Sequence, residues 1–154
     1  MSTLVLGIGN TLLTDEGVGI HVINALEARF ADADDVVLLD GGTLSFTLAG
    51  AIEDADHLIV VDASELKSAP GTVRTFINAD MDAFLNGPRR SVHEVGLMDL
   101  MTIARLVDRL PERRALVGIQ PEEMGWGELP TAAVAAAIPA ACGEVAQLIE
   151  AWRG

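Results

Sequence analysis

Short, unbroken apolar runs alternate with helical patterns along this sequence. Leu4-Val5-Leu6, Val36-Val37-Leu38-Leu39, His57-Leu58-Ile59-Val60-Val61-Asp62 and Ala115 to Ile119 are the runs. Residues apolar at consecutive positions suit strands covered on both faces, as parallel sheets between helix layers are. Val18, Val22, Leu26 and Phe30 recur every four residues, with Ile23 beside them. That spacing predicts an amphipathic helix of about 14 residues closing at Arg29-Phe30. Further helical patterns run from Leu44 to about Ala55, from Val95 to Leu110, and from about Thr131 to Trp152 with a bend expected at Pro139. Thr72 to Ile77, after the Pro70-Gly71 turn, alternates like an edge strand, and Asn78 to Arg90 shows turn residues and little periodicity. The pattern predicts an α/β fold: a three-layer α/β/α sandwich with a mainly parallel, twisted sheet of about five strands. No repeat or linker divides residues 1–154, so one domain is expected.

The opening stretch sets the chemistry. Leu4-Val5-Leu6 leads into Gly7-Ile8-Gly9-Asn10, and Asp15-Glu16-Gly17-Val18-Gly19 opens the next helix. A dinucleotide fingerprint would need a third glycine where Leu12 stands, and a phosphate at a helix start that here carries two carboxylates. Like charges repel such a ligand. The same carboxylates suit a cation, or complement the positive end of a helix.

Charge narrows the field further. The formal net charge is −13, which disfavours nucleic acid and anionic membrane as partners. The single cysteine, Cys142, cannot form an internal disulfide, which fits a reducing compartment. The N-terminus lacks a basic stretch and a long apolar core, so no signal peptide is expected, and the alanine-rich run Ala132 to Cys142 is interrupted by Pro139. A cytoplasmic protein is the expectation.

Ligands of open α/β sheets bind outside the carboxyl ends of the strands. Glu16 follows the first strand, Asp62 ends the third, and His93 lies in the connection after the fourth. Two carboxylates and an imidazole make an open oxygen/nitrogen set suited to Zn²⁺, Ni²⁺ or Mn²⁺, with positions left for water or substrate. Each residue also has a plain reading. Asp62 can cap the next turn, and His93 can be satisfied by backbone at a helix start. His21 and His57 lie away from the carboxyl edge and read as structural. Asp40-Gly41-Gly42-Thr43 follows the second strand and reads first as a tight turn at that edge. There is no G-x-S-x-G elbow and no P-loop.

Five segments in order resemble the hydrogenase maturation endopeptidases over nearly the whole chain. They are Gly7-Ile8-Gly9-Asn10 with Asp15 to Gly19, Asp40-Gly41-Gly42-Thr43, Val60-Val61-Asp62-Ala63, His93-Glu94-Val95-Gly96-Leu97, and Gly118-Ile119-Gln120-Pro121 with Leu129-Pro130. The resemblance implies an endopeptidase that removes a short C-terminal extension from the nickel-loaded precursor large subunit of a nickel–iron hydrogenase. It implies Glu16, Asp62 and His93 as metal-binding and catalytic positions, and Asp40, Gly41, Gly42 and Thr43 as substrate contacts. Nickel would come with the substrate, so no tightly bound metal is expected in the isolated protein. A monomer is expected. A nickel-binding chaperone or sensor without proteolysis is the alternative reading, and a small-molecule hydrolase or nucleotide-binding domain is a further one.

Overall fold

The computed structural model describes residues 1–42, 48–87 and 92–153, with side chains described for all of these but 92–95. Five strands form one sheet: β1 (Thr3–Ile8), β2 (Val36–Gly42), β3 (His57–Ala63), β4 (Val73–Ile77) and β5 (Arg113–Ile119), in the order β2-β1-β3-β5-β4. All neighbours pair in parallel except β4, which runs antiparallel to β5 at the edge. The described helices are α1 (Val18–Leu26), α2 (Leu48–Asp54), α3 (Ala79–Leu85), α4 (Val92–Leu106) and α5 (Ala132–Arg153), and a 3-10 turn (Thr14–Gly17) precedes α1.

Alternate strand residues serve opposite faces, as the two-residue period requires. Val5, Ile59, Val61, Val117 and Ile119 pack with α1 and α5. Leu4, Leu6, Leu58, Val60 and Leu116 pack with α2, α3 and α4. The expected three-layer α/β/α sandwich is what the chain forms. α5 is the described helix long and apolar enough to cross a membrane by composition. Here its apolar face, from Val134 and Ala137 through Val145 and Ile149 to Trp152, is spent inside the protein.

Several expectations change. β2 is not covered on both faces: it is an edge strand, and Val37 is 49% exposed. A four-residue apolar run cannot distinguish an edge from a centre. α1 ends at Leu26, and Phe30 belongs to the following turns, where its N–H donates to the Leu26 carbonyl at 3.1 Å. α4 closes at Leu106, and the stretch expected to be irregular contains α3, whose Met81 and Leu85 are buried. The expected second helix is described from Leu48 onward.

The topology fixes where a ligand would sit. From β1 the chain moves outward to β2 by way of α1 on one face. From β2 it crosses back to β3 by way of α2 on the other. A crevice opens at the carboxyl ends of β1 and β3, where the strand order reverses.

Candidate active site

Glycines bring the backbone together at this crevice. Gly19 lies so close to the carbonyls of Ile8 and Val61 that a Cβ there would strike both. Gly9, at φ +139°, has the Glu16 carbonyl where a side chain would project. A Cβ on Gly17 would come within 2.6 Å of the Thr11 Cα. The 3-10 turn is therefore pressed against the ends of β1 and β3. Glu16, three residues before Gly19, and Asp62, directly after Val61, share one corner. Asp62 is buried there.

The second edge segment lies alongside. The β1–β2 register shifts so that Gly7 faces Asp40 and Ile8 faces Gly42. Gly41 leaves no room for a side chain, since a Cβ would come 2.7 Å from Leu6 Cδ1. Gly42 adopts φ +50°, its N–H donating to Asp40 Oδ1 at 2.9 Å, and Gly9 N–H donates to the Gly42 carbonyl at 3.0 Å. Gly9, Asn10, Thr11, Ile20, Asp40 and Gly42 line a groove of about 310 Å³. Asp40, Gly41 and Gly42 thus lie at the carboxyl edge as expected, but they are the last residues of β2, shifted in register against β1, and not a tight turn after the strand. Thr43 lies outside the described residues.

His93 falls in the first turn of α4. Arg105, in the last turn, reaches 3.8 Å from Asp82, which also binds Arg114 at the start of β5. The C-terminus of α4 is thus at the amino edge of the sheet, and its N-terminus with His93 is directed to the carboxyl edge. The His93 side chain lies outside the described residues.

Asp15 is the residue whose part the sequence did not reveal. Rather than facing the crevice as a ligand or merely complementing a helix, it is fully buried in a cage of donors. One carboxylate oxygen accepts from the N–H groups of Glu122 (2.8 Å) and Glu123 (2.9 Å), and the other from Thr131 N–H (2.7 Å). The Thr131 hydroxyl donates to both oxygens. Burial pushes the Asp15 carboxyl up, but the donors at Glu123, Thr131 and Glu122 outweigh it, and the net shift is downward. These partners lie more than 100 residues away, so no spacing rule could have found them.

The other titratable candidates are structural, as expected. His57 is buried with its Nδ1 3.3 Å from Thr3 Oγ1 and its ring 5.4 Å from that of Trp152. Cys142 is half-buried, its thiol pushed up by burial, so it is a poor nucleophile. The described residues contain no cluster of three or more metal-binding side chains. Glu16 and Asp62 are thus the described part of the expected donor set.

The model of the hydrogenase maturation protease family, HycI, matches residues 20–148. This chain belongs to the hydrogenase maturation protease family. The protease is 40% identical over 125 residues to the hydrogenase 2 maturation protease of Escherichia coli K12, covering 80% of this chain and 76% of that one. It is 35% identical over 150 residues to the hydrogenase expression/formation protein HupD of Rhizobium leguminosarum, covering 97% and 74%. Its structure superposes on the maturating endopeptidase HybD of Escherichia coli with a TM-score of 0.90 at 38% identity, covering 98% and 94%. On HybD of Thermococcus kodakarensis the TM-score is 0.82 at 27% identity, covering 96% and 99%. The maturation protease class and the α/β fold expected from the sequence are thereby established.

Proposed function

We propose that the protease removes a short C-terminal extension from the nickel-loaded precursor large subunit of a nickel–iron hydrogenase, with Glu16, Asp62 and His93 reading the nickel. The observation that carries this reading is the corner at the strand-order reversal, where Gly9 lies against the Glu16 carbonyl and Gly19 against the carbonyl of Val61, directly before buried Asp62. A carboxylate held in a buried corner keeps its charge directed at a cation instead of dispersing it into water. Two carboxylates and an imidazole fall short of a closed coordination shell, which leaves positions for the substrate's own ligands. Nickel so held supplies Lewis acidity for polarising the scissile carbonyl or acidifying a water. Asp40, Gly41, Gly42 and Thr43 contact the substrate chain, with Asp40 and Gly42 lining the groove at Gly9 and Asn10. The protease works in the cytoplasm, a reducing compartment that suits its lone free Cys142, and acts as a monomer.

Incubation of nickel-loaded precursor with wild type and with Glu16→Gln, Asp62→Asn and His93→Gln tests the reading by mass analysis of the precursor. The expected result is a released C-terminal fragment with wild type alone, and only from loaded precursor. Binding without shortening would make the protein a nickel-sensing chaperone. Equal cleavage by every variant would dismiss the three-residue site. Metal analysis after chelator treatment should find less than one equivalent of metal in the isolated protease; stoichiometric metal that survives chelation would contradict a substrate-borne nickel.

A further inference from the structure

Trp126 is 84% exposed, more than any other large apolar side chain among the described residues, and Leu129 is 77% exposed. Leu12 and Met124 are exposed as well. A loose loop could turn such side chains down onto the protein, but here the backbone is fastened. Thr14 N–H donates to the Gly127 carbonyl at 2.7 Å and Gly127 N–H donates to the Leu12 carbonyl at 2.9 Å. Asp15 N–H donates to the Glu123 carbonyl at 3.1 Å, and the Thr14 hydroxyl bonds the Glu123 and Gly125 carbonyls. The Asp15 carboxylate holds the loop at Glu122, Glu123 and Thr131. Among the described residues nothing uses the indole, yet the backbone holds it outward. A rigid aromatic anchor displayed at no ordering cost is what recognition surfaces are built from.

Position and charge identify the occupant. Leu12 directly follows Asn10 and Thr11, which line the groove with Asp40 and Gly42, so the apolar surface continues the rim of the candidate active site. Acidic residues are interleaved with the apolar ones: Glu122, Glu123, Met124, Trp126, Glu128, Leu129. We propose that Leu12, Met124, Trp126 and Leu129 form a docking patch for an apolar segment of the precursor large subunit that carries basic side chains, seated beside the segment that is cut. The proposal rests on the reading of the protein as the processing protease of that subunit. The apolar anchors supply affinity and the glutamates supply charge complementarity to the flanking basic groups.

Steady-state cleavage of nickel-loaded precursor by wild type and by the double variant Trp126→Ala/Leu129→Ala is the test, alongside direct titration of binding. The double variant should melt with wild type, since both side chains are exposed. Its KM should rise about 30-fold while kcat holds, in the range of a lost aromatic anchor. Trp126→Phe should recover most of the loss. The wild-type KM should rise with added salt, and the triple variant Glu122→Gln/Glu123→Gln/Glu128→Gln should flatten that dependence. If wild type cleaves and the double variant matches its KM within twofold, the patch is wrong and the protease reading stands. If wild type does not cleave, that reading fails, and the binding titration decides the patch alone, equal affinities overturning it. If wild type self-associates in sedimentation and Trp126→Ala abolishes the association, the occupant is a second copy and the proposal is overturned.

Discussion

Asp15 and Glu16 are adjacent acids with opposite fates, and the difference is who supplies their partners. Asp15 is encircled by backbone and hydroxyl donors from residues 122–131, whereas Glu16 belongs to the corner with Asp62. Asp15→Ala leaves several buried N–H groups without an acceptor and should destabilise the fold by about 3 kcal/mol or more in urea unfolding. The Asp15 carboxyl lies below its ordinary value of 3.8, so its contribution is complete above that pH. It is lost as pH falls through the lowered value, and the acid limb of stability in Asp15→Asn should be correspondingly flatter. His57 has the opposite protonation preference. Burial, with Arg113 nearby, holds its imidazole below the ordinary 6.5, against a smaller upward pull from Asp56. The unfolded chain therefore takes up the proton first, and stability should fall as pH drops below about 6.5. A His57→Gln variant should lose that slope. Residue identities made Asp62 and Glu16 visible in the sequence through their place after strands. In the sequence Asp15 looks the same as Glu16 in charge and position; only the distant donors separate them.

Apolar continuity made β1, β3 and β5 legible, since a strand covered on both faces writes itself in consecutive residues. β2 carries the same signature while lying at the edge, because neighbour order is a property of the sheet and not of the segment. α3 leaves little trace in the sequence for a local reason. It buries only Met81 and Leu85 on two turns, too few to write a helical period, and Asn78 before it, a cap-type residue, adopts φ +52° with its side-chain oxygen accepting from the Arg114 N–H instead of from the helix. Its hold on the sheet comes from Arg114, whose Nε lies 3.0 Å from Asp82 Oδ1. The start of α1 depends on steric permission. A methyl group at Gly19 would meet the Val61 and Ile8 carbonyls, so Gly19→Ala must push α1 off the sheet and move Glu16 with it. Cleavage of precursor should drop more than tenfold together with a lowered melting temperature, as expected of overpacking against backbone. Unchanged melting and activity would mean that the helix start yields without cost.

For the molecule as a whole, the candidate site was legible only through the fold. Glu16, Asp62 and Asp40 are far apart in sequence, and it is the strand order β2-β1-β3 that gathers them at one edge. A five-strand parallel pattern predicted that edge, but not the apolar rim beside it, because Trp126 in a loop sequence looks the same whether it is folded in or held out. Trp152, the other tryptophan, is buried in the core against His57.

One arrangement has a kinetic side. The carboxylate of Asp15 fastens residues 122, 123 and 131, so contacts spanning more than 100 positions must close before the loop 120–131 acquires its shape. Long-range closures of this kind are entropically late events in folding. The amides of Glu122, Glu123 and Thr131 should therefore exchange with deuterium as one group, protected or released together, and all three should lose protection in Asp15→Asn. A nascent chain not yet extended through residue 131 would carry the opening motif at the ribosome surface with nothing for Asp15 to grip. The loop bearing Trp126 thus takes its shape only after residues 122–131 have followed the opening motif out of the ribosome.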